Sequence, residues 1–196
     1  VIGGGVIGCS TAYNLAKLGA GKVVVLEKTY LASGATGRCG AGMRMQWGSE
    51  TNCLLSRESV KMLSNLSERL DVDVDIEFTQ NGYLLLAYNE KMGAQFKKNQ
   101  KKKKSLGIPS RWVTPEESLE IVPILNTKGL VGATYCAEDG HCNPFKVTEA
   151  YAQAGRNLNV EIYTDTEVQG IVTKNGKIIA VRTNKGDIQT DTVVNA

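Results

Sequence analysis

At 196 residues the chain has room for one large domain or two small ones, and its 42% hydrophobic content is ordinary for a globular fold that buries a core. A net charge of +3 is too small for a nucleic-acid binder, and the basic residues do not alternate with aromatics that could stack bases. The longest apolar runs, Val23 to Leu26 and Leu84 to Ala87, fall far short of the roughly 20 residues that a membrane span needs.

The stretch Val1 to Glu27 carries the strongest signal. Val1-Ile2 reads as a strand, Gly3-Gly4-Gly5-Val6-Ile7-Gly8 as a glycine turn, Cys9 to Leu18 as a helix of small residues, and Val23 to Leu26 as a second strand ending in the acid Glu27. In such a turn Gly3 permits the sharp exit from the strand, Gly5 lets the backbone approach a pyrophosphate, and Gly8 lets the helix lie against the sheet. The helix N-terminus offers unpaired N–H groups and a partial positive charge to the diphosphate. Glu27 follows Gly8 by nineteen residues, at a strand end where its carboxylate can accept hydrogen bonds from ribose hydroxyls. Strand, helix and acid in this order predict a dinucleotide site, and the fingerprint alone fits NAD as well as FAD.

Ala32 to Arg44 is almost entirely small residues and cannot build a core of its own. The segment is expected to wrap the cofactor, Ser33 and Thr36 offering hydroxyls to the diphosphate and Arg38 a countercharge; the bland alternative is a flexible glycine loop. From Glu50 to Leu70 a helical period predicts one long amphipathic helix. Short strands are expected over Ile76 to Phe78 and over Gly82 to Tyr88, with Asn81-Gly82 as a turn signal. Met92 to Ser105, with its run Lys101 to Lys104, reads as the solvated face of a surface helix. Thr114-Pro115-Glu116-Glu117 is a capping box opening a helix over Pro115 to Ile121.

Asn143-Pro144 starts another helix, with Val147, Ala150, Tyr151, Ala154 and Leu158 on one face. Val160 to Tyr163 is a short strand. Val168 to Thr173, Ile178 to Thr183 and Asp187 to Asp191 predict a three-stranded meander turned at Asn175-Gly176. Loss of the βαβ rhythm over the middle of the chain divides it into 1–78, the first part of a dinucleotide-binding domain; 79–138, part of an inserted second domain; and 139–196, the second part of the first. Val1-Ile2 and Val193-Val194 both read as strands cut short, so the sequence is expected to be a piece of a longer one.

Five cysteines without framework spacing read as free thiols of a reducing, cytoplasmic compartment. One histidine and no CxxC pair argue against a metal site.

GGGVIG with Glu27, then SGATGRCGAGMR, then EDGHCNP with its helix, and TEVQGIVTKNGKIIAV leading to VVNA, together resemble the FAD-dependent amine oxidoreductases of the D-amino-acid oxidase superfamily. The likeness is greatest to glycine oxidase and to the β subunits of sarcosine oxidase and proline dehydrogenase. It implies an α/β fold: a Rossmann-like FAD-binding domain of the GR2 flavoprotein type, with a β-meander and an inserted α+β substrate domain, truncated here at both ends. It also implies FAD contacts at Val6, Ile7, Glu27, Lys28, Thr36, Gly37, Ala41, Gly42, Met43 and Val168, with Gly40 to Met43 on one side of the isoalloxazine. Some members of that family tether the flavin through a cysteine near the C-terminus or a mid-chain histidine; His141 is out of register with the latter and is not assigned to a covalent link.

The implied activity is oxidation of the C–N bond of a small amino acid such as sarcosine, glycine or proline, with further subunits of a hetero-oligomeric oxidase or dehydrogenase as partners. Substrate-gripping residues are expected after Ala196, so no catalytic residue is assigned. Two rival readings remain, a non-catalytic FAD-binding or electron-relay subunit and an NAD-dependent dehydrogenase.

Overall fold

In chain order the elements of the computed structural model, which describes residues 1–196, are α1 (Val6–Lys17), β1 (Val24–Leu26), β2 (Gly42–Met43), α2 (Glu50–Leu63), α3 (Leu66–Leu70), β3 (Tyr83–Ala87) and α4 (Glu90–Ser105). They continue with β4 (Arg111–Val113), α5 (Pro115–Ile121), β5 (Gly132–Cys136), β6 (Gly140–His141), α6 (Pro144–Asn157), β7 (Glu161–Tyr163), β8 (Val168–Lys174), β9 (Lys177–Thr183) and β10 (Gly186–Gln189). The chain divides into two units: Val1–Gly40 with Leu66–Ile76 and Asn143–Ala196, and Ala41–Asn65 with Glu77–Cys142.

The first unit is built on a parallel ladder. β1 pairs with β7 from Val24↔Glu161 to Leu26↔Tyr163, and Ile2 bridges in parallel to Leu26 on one side and Asn195 on the other. Parallel neighbours need a crossover, and α1 supplies it between the Ile2 strand and β1. Val23 and Val25 pack with Ala12 of α1 and with Val160. Tyr13 of α1 meets Tyr151 of α6 with ring centroids 6.0 Å apart. α6 begins where its sequence says: Asn143 accepts hydrogen bonds from the Phe145 and Lys146 N–H groups, and Pro144 fills the first helical position. Its buried face holds Val147, Ala150, Tyr151 and Ala154, but Leu158 lies just past the helix and is 41% exposed.

The meander is antiparallel in the order β10-β9-β8. Asn175 and Gly176 both take left-handed conformations, φ 52° and 74°, as a two-residue type I′ hairpin requires. Val181 and Ile188 of the meander line a cavity of about 730 Å³ with Val24 and Leu26 of β1.

The second unit holds an antiparallel sheet, β3-β5-β4, in register from Tyr83↔Cys136 to Ala87↔Gly132. Its core is Met45, Cys53, Val60, Ile108 and Cys136, with Met43, Phe78 and Leu106 packed on it. α5 opens in the capping box read from the sequence, Thr114 and Glu117 each accepting the other's backbone N–H. β2 pairs with β6, Gly42 opposite His141 and Met43 opposite Gly140.

Three expectations differ from the structure. The long helix over Glu50 to Leu70 breaks at Ser64-Asn65, because Cys53 and Val60 are buried in the second unit whereas Leu66 and Leu70 are buried in the first. One straight apolar face cannot serve two cores. No strand forms over Ile76 to Phe78: Glu77 takes φ 55°, which interrupts an extended run, and only Thr79 makes an isolated bridge, to His141. Finally, the lysine run is not wholly solvated, since Lys103 is only 2% exposed.

Candidate functional site

The strand-turn-helix at the start of the first unit forms a cradle of backbone donors. Gly3 leaves the strand at φ 104°, a conformation open to glycine and costly for other residues. A Cβ at Gly8 would stand 1.9 Å from the Gly3 carbonyl oxygen, so this glycine serves the closeness of the helix to its own turn. The Gly3 N–H donates to Leu26 O, the Gly4 N–H to Glu27 Oε2 at 2.8 Å, and the Val6 N–H to Thr36 Oγ1 at 3.1 Å. The N–H groups of Gly5, Ile7 and Gly8 have no acceptor within the chain, while that of Cys9 donates to Gly5 O at 2.9 Å. Three unpaired donors at the positive end of a helix of 12 residues make an anion site of the kind a diphosphate fits.

Glu27 organises the cradle from below. It is 7% exposed, and Oε1 accepts from Thr29 N–H at 2.9 Å, Thr29 Oγ1 at 3.2 Å and Ser33 Oγ at 3.3 Å. Burial alone would raise its carboxyl, but the backbone N–H groups of Thr29 and Gly4, followed by the Thr29 and Ser33 hydroxyls, hold it below its ordinary value. It is thus an anion at neutral pH. Oε1 is saturated, whereas Oε2 receives one donor, from Gly4, and keeps a lone pair for a further one.

The other candidates fall into three groups. Ser33 and Thr36 reach the cradle in a bracing role: Ser33 accepts at 2.7 Å the one hydroxyl proton that Thr29 shares between it and Glu27, and donates its own to Glu27, while Thr36 caps Val6. Thr36 retains its own hydroxyl proton for an anion, but that of Ser33 is committed to Glu27. Lys28, Arg38 and Gly40 are exposed, and Gly37 packs against Phe145, where a Cβ would stand 2.6 Å from the ring. Val168 opens β8, two residues beyond Thr166, whose N–H donates to Glu27 O at 2.8 Å. Ala41, Gly42 and Met43 lie in the second unit, on and beside β2.

Sequence reasoning missed Thr29. Its position two residues after a strand-end acid, in a tight turn, is the signal that could have found it. It also missed that Asp139, fully buried in the second unit, accepts from the Met45 N–H at 2.8 Å and from Gln46 Nε2 at 2.9 Å. No group of three or more His, Cys, Asp or Glu residues is placed to hold a metal.

Comparison with known proteins agrees with this geometry. The family model described as DAO, FAD dependent oxidoreductase, matches residues 1–196. Over 195 residues the chain is 31% identical to the mitochondrial pyruvate dehydrogenase phosphatase regulatory subunit of Mus musculus, covering 100% of this chain and 22% of that protein. It is 29% identical over 193 residues to the sarcosine oxidase subunit beta of Rhodobacter capsulatus, covering 96% of this chain and 46% of that one. The crystal structure of L-proline dehydrogenase from P. horikoshii superposes with a TM-score of 0.88 at 38% identity, over 100% of this chain and 51% of that chain. The chain thus spans about half of these relatives or less. FAD is the dinucleotide of this family, and the unpaired donors of the Gly5–Gly8 turn and the half-open Glu27 fit its diphosphate and ribose. With the fold, the cradle and the match over residues 1–196 in agreement, the chain belongs to the DAO family of FAD dependent oxidoreductases.

Proposed function

We propose that this chain carries the FAD-anchoring part of an enzyme that oxidises the C–N bond of a small amino acid of the sarcosine, glycine or proline type. The observation that carries the reading is the set of three unpaired N–H groups at Gly5, Ile7 and Gly8 beside an ionised Glu27 with one lone pair to spare. Gly5, Ile7, Gly8 and Thr36 hold the diphosphate, and Glu27 Oε2 takes a ribose hydroxyl. Lys28, Gly37, Arg38 and Val168 border the adenosine end, and Gly40, Ala41, Gly42 and Met43 meet the isoalloxazine. Bound FAD would supply the acceptor for the hydride that leaves a carbon bonded to the substrate nitrogen. Relatives named as sarcosine oxidase and proline dehydrogenase support the substrate class, and one named as a subunit supports a hetero-oligomeric enzyme.

Titration of the chain with ADP and FAD, followed by calorimetry, tests the anchoring. Saturable binding of both is expected, and no binding of either overturns the reading. Anaerobic mixing of the FAD-loaded chain with sarcosine, glycine or proline tests the division of labour. No bleaching of the flavin is expected, because turnover needs the substrate held at roughly 3–3.5 Å by residues beyond this chain.

A second reading is favoured by the 31% identity to a regulatory subunit over the whole chain: an FAD-binding subunit without catalysis of its own. Assay of the full-length protein alone, with N-methyl and cyclic amino acids and a dye acceptor, separates the two. Turnover in isolation excludes a purely regulatory role.

A further inference from the structure

The second unit buries a carboxylate and a lysine that the diphosphate cradle leaves without a role. Asp139 is fully buried between β5 and β6, and Lys103, in the last turn of α4, is 2% exposed. The two Asp139 oxygens hold different partners, Oδ1 accepting from the Met45 N–H at 2.8 Å and Oδ2 from Gln46 Nε2 at 2.9 Å. The same Gln46 nitrogen donates to the Tyr83 carbonyl at 2.9 Å. The Tyr83 hydroxyl in turn occupies the place beside Gly42, 1.9 Å from where a Cβ would stand. From Asp139 the contacts therefore run through Gln46 and Tyr83 and return to β2, whose two residues also pair with Gly140 and His141 immediately after Asp139. The strand is gripped from both ends.

We propose that Asp139, with Lys103 as its buried counter-charge, is a positioning residue that fixes the segment Gly42–Gln46 for the ring end of FAD. The inference rests on the assignment of Gly40 to Met43 to the isoalloxazine under the proposed function. A carboxylate is needed because both oxygens must accept; an asparagine would turn an NH₂ toward the Met45 N–H or toward the Gln46 NH₂. A buried carboxylate is costly, and burial does push the Asp139 carboxyl above its ordinary range, against the Met45, Gln46 and Cys136 hydrogen bonds and the Lys103 charge that favour the anion. Burial likewise lowers the Lys103 ammonium, against the charge of Asp139. Within an otherwise exposed basic run, Lys103 alone is buried, in the same unit that buries Asp139, and its charge favours the Asp139 anion.

The test uses the 196-residue chain and four proteins: wild type, Asp139→Asn, Lys103→Met and the double variant. For each, the affinities for ADP and FAD are measured by calorimetry, with the absorbance spectrum of the bound flavin and a thermal melt. ADP reports on the first unit alone, so the ratio of FAD to ADP affinity isolates the ring end. Asp139→Asn should lower that ratio by roughly tenfold, with ADP affinity unchanged and the flavin spectrum moved toward that of free FAD. Lys103→Met, which keeps every Asp139 hydrogen bond, should lower the ratio less. The double variant should lose less than the sum of the singles, because neither charge is then left unpaired.

An unchanged ratio and spectrum in Asp139→Asn, even with a lowered melting temperature, shows a merely structural role and overturns the proposal. If Asp139→Asn does not fold, Lys103→Met decides by the same criterion. A wild type that binds ADP and FAD equally overturns the ring-end assignment, and this proposal with it, while leaving the diphosphate cradle standing. A wild type that binds neither removes both readings.

Discussion

Each unit of this protein is organised around one buried carboxylate, and the two are driven in opposite directions. Glu27 in the first unit gathers Gly4, Thr29 and Ser33 and is held below its ordinary pKa. Asp139 in the second gathers Met45 and Gln46 and is raised above it. For both, burial is the largest influence, and for both the hydrogen bonds oppose it; only the balance differs. Glu27 retains 7% exposure and has four donors from three residues, so the donors prevail. Asp139 retains none, and desolvation prevails despite a nearby cation. Donor count against residual hydration, and not burial by itself, sets the sign.

The widest gap between the two should appear on truncation. Asp139→Ala leaves the Met45 N–H unpaired and takes an acceptor from the Gln46 NH₂ inside a core, a loss of about 2–5 kcal/mol. Glu27→Ala strands the Gly4 and Thr29 N–H groups nearer to water and should cost about 1–3 kcal/mol, together with weaker binding of ADP and FAD. Denaturant unfolding of both variants, read at constant m-value, gives the ranking. A Glu27 variant less stable than the Asp139 one would break the contrast, since it would make the more hydrated carboxylate the more costly to remove.

A smaller effect, a slope and not a level, is expected in acid. The folded pKa of Glu27 lies below its unfolded value near 4.5, so its contribution is present above that pH and is lost as pH falls through the folded value. Asp139 has the opposite sign. Its folded pKa lies above the unfolded value near 3.8, so its ionisation costs stability as pH rises through the folded value and is relieved below it. Melting temperature against pH should therefore fall less steeply in acid for Glu27→Gln than for wild type, and more steeply for Asp139→Asn. Parallel curves for all three proteins would show that neither carboxylate shifts on folding.

The same contrast explains what could be read from the sequence. Glu27 was legible because its partners are local: a strand, a turn and a helix fix the spacing from Gly8, and no contact of its carboxylate reaches further than 23 residues along the chain. The helix caps at Asn143 and Thr114 and the Asn175-Gly176 turn were legible for the same reason. Asp139 was not, since its partners lie 93 and 94 residues away and no periodicity marks such a pair. Lys103 looked like its neighbours because a run of identical residues hides which one turns inward. That the Ser33 and Thr36 hydroxyls brace the turn, Ser33 donating to Glu27 and Thr36 accepting from Val6, depends on the fold of 27–36, which composition does not determine.

The last and smallest effect needs no substitution and follows each unit through its own thiols. All five cysteines are reduced; Cys39 is exposed and the other four are buried. Burial raises Cys9 in the first unit to about 11 and, with the Asp139 charge adding to it, Cys136 in the second to about 12. With a pKa of 11, only about one molecule in a thousand carries the thiolate at pH 8, and the thiolate is the nucleophile. In native conditions a brief pulse of alkylating reagent should therefore mark Cys39 alone, and in full denaturant all five. Between those limits the order of labelling reports which unit opens first. Cys53, Cys136 and Cys142 belong to the unit whose carboxylate is ionised against its desolvation cost, Cys9 to the unit whose carboxylate is well supplied with donors. As denaturant rises, the three thiols of the second unit should become reactive before Cys9, in a step visible by mass spectrometry of the labelled peptides. Labelling of Cys9 first would reverse the ranking of the units, and labelling of all four together would mean that they open as one cooperative body.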